Sequence, residues 1–168
     1  MIIVVAKYRE LIDWVPEDLD HFVVEKGVHL PNEGRESLSY IWYILENWDT
    51  LKGDYVFLQG NPLPHWMNCV GELHALGGEG FKWCGNDVYN CASDGTPQHN
   101  GLRISEFAKD AGISVEFPLE FIAGGQFSVP ASLIKKRGKR FWTKLKKLHT
   151  TYEKAPWIIE RLWGSIFK

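Results

Sequence analysis

Ile2-Ile3-Val4-Val5-Ala6 is an unbroken run of apolar, mostly β-branched residues that stops at Lys7. A strand with one wet face alternates apolar and polar residues, whereas a run without alternation suits a strand covered on both faces. Working outward, Phe22-Val23-Val24-Glu25 repeats the pattern in shorter form and is closed by Lys26-Gly27. Leu38, Ile41, Trp42, Leu45 and Trp48 then follow the three-and-four spacing of a helix with one buried face. Asn32 and Ser37 are candidate N-caps for that helix, with Glu36 near its positive end. Asp54 to Gln59 reads as the next strand, broken by Gly60-Asn61-Pro62. Strands interleaved with helices predict an α/β fold: one three-layer sandwich over residues 1–168, with a mostly parallel, mixed central sheet of Rossmann-like form.

The remaining segments fill in that plan. Leu11 to Leu19 reads as a short helix or turn, and Trp66, Val70 and Leu73 as a helix ended by Gly77-Gly78. Gly85 to Gly101 is rich in Asn, Asp, Gly, Pro and Ser and reads as a long loop, which in a compact domain is commonly functional. Phe127 to Pro130 is a late strand running into a helix at Pro130. Phe141, Trp142, Leu145 and Leu148 mark one C-terminal helix, and Pro156 opens another.

At 168 residues, 45% hydrophobic and 24% charged, the chain can bury one sizeable core, and core filling is the expected role of most of its eight Trp residues. A net charge of −2 gives no general attraction to nucleic acid or anionic lipid. The basic run from Lys135 to Lys147 reads as the solvated face of an amphipathic helix, so nucleic acid is not expected as a partner. No window is long and apolar enough for a membrane span, and three Cys, an odd number, fit a reducing compartment; the sequence predicts a cytoplasmic protein.

Polar residues gather where strands end and helices begin. Ala6-Lys7-Tyr8-Arg9 follows the first strand, at the place where open α/β sheets bind ligands. Neither a Gly-x-Gly-x-x-Gly nor a phosphate-loop motif is present, so a solvated loop has equal standing there. Asn32, Arg35 and Glu36 lie at a predicted helix N-terminus, where free N–H groups favour anions and Arg35 offers a two-pronged contact; local pairing of Arg35 is the plainer alternative. Gln59 and His65 flank a proline-stiffened bend on which an imidazole can serve as base, ligand or donor. Gly124 and Gln126 repeat the combination of small residue and amide, and Glu160 and Arg161 lie in the last helix. His65, Cys69, Cys84, Cys91 and His99 contain metal-binding types without the paired spacing of a zinc site, and no metal ligand is assigned.

Five segments resemble, in order, those of the family called domain of unknown function 3431: Val4–Trp14, Leu30–Ser37, Tyr55–His65, Phe121–Arg137 and Pro156–Phe167. They cover almost the whole chain. A more distant likeness, in the first strand, the loop after it, the Gly-Gly-Gln-Phe-Ser-Val segment and a terminal helix bearing Glu, is to nucleotide-sugar glycosyltransferases of the GT-A type.

That resemblance implies a GT-A-like domain transferring a sugar from a nucleotide-sugar donor to a glycan acceptor. Ala6 to Arg9 would hold the nucleotide. Gln59, His65 and Gln126 would orient sugar hydroxyls, with Gly124 beside them, and Glu160 or His65 would take the acceptor proton. GT-A enzymes commonly hold Mn2+ or Mg2+ through an Asp-x-Asp motif, but the corresponding segment here is Gln59-Gly60-Asn61. The expectation is therefore a transferase able to work without metal, with Arg35, Arg137, Arg140 and Arg161 as candidates for balancing the diphosphate. Two rivals stand beside it: a hydrolase using His65 and a carboxylate, and a non-catalytic carbohydrate-binding module.

Overall fold

The computed structural model describes residues 1–168. In chain order the elements are β1 (Ile2–Lys7), β2 (His21–Glu25), α1 (Arg35–Glu46), β3 (Asp54–Gln59), α2 (Cys69–Glu72), a 3-10 turn at Leu73–Ala75, β4 (Lys82–Trp83) and β5 (Val88–Cys91). Then come α3 (Ile104–Ala111), β6 (Leu119–Ile122), β7 (Phe127–Pro130), α4 (Ala131–Lys136), α5 (Lys139–Thr151) and α6 (Ala155–Ile166). Five strands form one mixed sheet in the order β2-β1-β3-β7-β4, and β5 and β6 pair separately. The β2-β1-β3 half is parallel and the β3-β7-β4 half antiparallel, so the sheet is more evenly mixed than the sequence suggests.

Period-two geometry explains the apolar run. Val4 and Ala6 of β1, with Tyr55 and Phe57 of β3, face the larger core, beneath helices that contribute Ile41, Trp142, Ile159 and Trp163. Ile3 and Val5, with Val56 and Leu58, face a smaller core closed by Val15, Trp66, Cys69 and Leu73. Both faces are covered, which is why alternation is missing from the sequence. The thinner side is built from turns between Tyr8 and Asp20 and from the short α2. Three Trp are buried and none of the eight is exposed.

Several local expectations shift. Neither Asn32 nor Ser37 caps α1. Gly34 is its N-cap, with φ 70° and no side-chain cap. A Cβ on Gly34 would lie 2.5 Å from His149 and 2.6 Å from Leu38, so only glycine fits this left-handed turn. The helix turns a face centred on Tyr40, Ile41 and Ile44 inward, leaving Trp42, Leu45 and Trp48 half-buried, because α5 and α6 also pack on it. The predicted loop from Gly85 to Gly101 contains β5, which pairs with β6. No helix is long and apolar enough to cross a membrane.

Candidate functional site

The chain passes from β1 to β2 on one side of β1 and then to β3 on the other. Such a reversal of strand order opens a crevice at the carboxyl ends of the parallel strands. A cleft of about 330 Å3 lies there, lined by the ends of all three: Lys7 of β1, Lys26 just past β2, and Gln59 of β3 with Gly60 and Asn61. Ala6, Tyr8, Arg35 and Glu36 also line it.

Its electrostatics favour an anion. Lys26 is only 9% exposed and forms no ion pair with any carboxylate. Burial lowers its proton affinity, opposed in part by Glu36 and Glu10, which also line the cleft. The first N–H groups of α1 have no intrahelical acceptor and no side-chain cap. Arg35, with φ 49°, is the one non-glycine residue in the left-handed region, a strained conformation of the kind that gathers at functional sites. Its Nε lies 3.5 Å from Glu36 Oε2, and its guanidinium lies over the Trp157 ring at 5.5 Å. Lys7, by contrast, is paired with Glu25 at 3.2 Å.

Glu36 is 8% exposed, and burial pushes its carboxyl up to about 7 against the opposing charge of Arg35. Glu10 works structurally. Its Oε2 accepts from the N–H groups of Tyr8 and Arg9 at 2.7 and 3.0 Å, fixing the turn after β1. Trp14 Nε1 donates to the Gly60 carbonyl at 2.9 Å and ties the opposite wall down.

Arg35 also borders a second cleft of about 480 Å3, lined by His65, Tyr89, Gln98, His99, Trp157, Glu160 and Arg161 among others. Gly124, at φ 84°, forms the divide. A Cβ there would come within 3.1 Å of His65 and 3.2 Å of the Gln59 amide. Both oxygens of Glu160 are engaged: Oε1 accepts from Gly124 N–H at 2.8 Å and Oε2 from Arg161 Nη1 at 3.1 Å. Arg161, 1% exposed, also donates to the Trp157 carbonyl at 2.7 Å. His65 Nδ1 approaches Asp87 Oδ2 at 3.5 Å.

Most of the predicted residues meet here. Ala6, Lys7, Tyr8, Arg35, Glu36 and Gln59 line the first cleft, and Arg35, His65, Gly124, Glu160 and Arg161 the second. Others do not. Gln126 is fully buried, with neither side-chain nitrogen nor oxygen partnered, so a ligand in either cleft does not reach it. Arg9 is exposed and stacked on Tyr8, and Asn32 is exposed on the loop before α1; neither lines these clefts. Glu160 is held as an ion-paired brace, with Gly124 N–H on one oxygen and Arg161 on the other. Arg137 caps α6 by donating to the Ser165 and Ile166 carbonyls, and Arg140 lies on the outer face of α5.

Lys26 is a functional candidate that the sequence reading missed, and His99 was weighed there only as a metal-binding type. Lys26 follows a short parallel strand, so the strand-end rule that picked out Lys7 and Gln59 could have found it. The pairing of His99 with Arg161 carries no sequence signal, because the two are distant in the chain. No group of three or more His, Cys, Asp or Glu side chains is placed to hold a metal ion. At the end of β3 the Asp-x-Asp is absent, and the carboxylates that line the cleft are Glu10, whose Oε2 holds the turn after β1, and the buried Glu36 beside Arg35. No family model, curated protein or solved structure matches the chain.

Proposed function

We propose that the chain binds a nucleotide-sugar, or a similar sugar phosphate, in the first cleft and transfers the glycosyl group to an acceptor in the second. The observation that carries this reading is Lys26: a lysine so nearly buried, in no ion pair with the Glu36 and Glu10 carboxylates that share its cleft, beside Arg35 and the open N-terminus of α1, calls for an anionic ligand. As the bond from the sugar carbon to the phosphate oxygen breaks, the electron pair goes to that oxygen, and Lys26 and Arg35 balance it. The acceptor oxygen attacks the same carbon and releases its proton to His65. Gln59, at the divide, orients sugar hydroxyls, and Glu160 braces Gly124 and Arg161. The GT-A-like architecture and kinship with domain of unknown function 3431 belong to the same proposal.

The test is turnover of UDP- and GDP-sugars with and without glycan acceptors, in chelator and again in Mn2+. Acceptor-dependent release of the nucleoside diphosphate in chelator supports transfer. Release that ignores the acceptor would assign a hydrolase, and binding of glycans with no binding of donors would assign a carbohydrate-binding module.

A further inference from the structure

His99 is held in one protonation form by a residue that has no alternative. Arg161 Nη2 lies 2.8 Å from His99 Nδ1. A guanidinium has only donors and keeps its charge in proteins, so Nδ1 accepts, and the single N–H of a neutral imidazole sits on Nε2. Arg161 cannot turn away, because its other bonds go to Trp157 and Glu160 and its guanidinium lies 4.4 Å over the Phe121 ring. Partial burial and then Arg161, helped by Arg35 and Lys154, lower the proton affinity of His99; Glu160 acts the other way. His65 has the opposite polarity. In the neutral ring, an Nδ1–H facing the Asp87 carboxylate at 3.5 Å leaves the lone pair of Nε2 free. The same cleft carries two half-exposed aromatic rings, Tyr89 and Trp157, and the buried, unpartnered Gln98 Oε1.

We propose that the second cleft is a carbohydrate site, in which a sugar ring lies on Tyr89 or Trp157, one hydroxyl donates to His65 Nε2 and a neighbouring oxygen accepts from His99 Nε2–H. A pyranose joins an apolar face to adjacent groups that each donate and accept, which matches aromatic rings flanked by one acceptor imidazole and one donor imidazole. The inference takes its place in the reaction, as the acceptor site, from the transfer reading above; sugar binding itself does not require that reading.

Two measurements decide it. Long-range proton–nitrogen NMR of the free protein should show His99 with Nδ1 bare and Nε2 protonated at neutral pH; the reverse tautomer overturns the donor assignment, and a charged ring overturns the acceptance by Nδ1 from Arg161 on which it rests. Calorimetry should then show methyl glycosides of glucose, galactose or N-acetylglucosamine binding to the wild type. The affinity should fall about three- to tenfold in His99→Ala, the loss expected for one hydrogen bond, and recover in His99→Gln, whose amide still donates. Binding unchanged in His99→Ala overturns the proposal. Pyrophosphate titrated in parallel separates the two readings. Pyrophosphate binding without glycoside binding sinks the sugar site alone, glycoside binding without pyrophosphate binding sinks the donor cleft alone, and binding of neither sinks both.

Discussion

Replacing Glu36 by glutamine isolates the cost of one buried charge. The carboxyl rises from its ordinary 4.5 to about 7 because burial outweighs the attraction of Arg35. A raised folded value means that the folded protein holds the proton where the unfolded chain has released it. The stabilising contribution is thus complete below pH 4.5 and is lost as pH rises through 7. Each tenfold change in proton affinity is worth roughly 1.4 kcal/mol, so the loss between pH 4 and pH 8.5 approaches 3 kcal/mol. The amide of the Glu36→Gln variant keeps the shape and cannot ionise. Urea unfolding of both proteins across that range, in buffers without phosphate, should give a difference that grows by about 3 kcal/mol in favour of the variant. In melting temperature that is roughly 6–12 °C for a chain of this size. Taking the difference cancels every titrating group except those coupled to Glu36, namely Arg35, Glu160 and Lys26. A difference that stays flat with pH, or runs the other way, would refute the argument that Glu36 is desolvated in the folded cleft.

Three further outcomes follow from the same contacts. His149, whose Nε2 sits 3.0 Å from Ser37 Oγ and 3.1 Å from the Gly34 carbonyl, is pushed by burial down to about 4. The unfolded chain then gains the proton first, so about 3 kcal/mol of stability disappears as pH falls from 6.5 to 4; His149→Gln should flatten that acid limb in urea titrations. Gly124→Ala should cost about 1–2 kcal/mol in unfolding experiments through its left-handed backbone, and should lower affinity for any donor by displacing His65 or Gln59. Sulfate, whose charge is constant between pH 6 and 8, should bind more tightly toward pH 6 as Glu36 takes its proton, and the trend should vanish in Glu36→Gln.

Legibility in the sequence followed the range of each interaction. β1, β3, α5 and α6 were readable because their apolar patterns are local and long. β5 and β6 were not, since four-residue strands such as Val88–Cys91 exist by virtue of a partner met only after folding. The N-cap of α1 was misplaced because a left-handed Gly34-Arg35 turn, wedged against His149, replaced the usual side-chain cap. For the site, the strand-end rule brought Ala6, Lys7 and Gln59 to the first cleft. It could not show that Gln126, two residues from Gly124, points into the core. Nor could it show that Glu160 spends both oxygens on neighbours.

The central claim is that Lys26 and its neighbours await an anion. Calorimetric titration of pyrophosphate and of UDP- and GDP-sugars, in chelator, into the wild type and Lys26→Met tests it most directly. The account predicts binding by the wild type. It predicts a loss in the variant of roughly ten- to a hundredfold, the worth of one charge-assisted contact, with folding intact. A wild type that binds none of these anions, or a variant that binds them equally well, would contradict it.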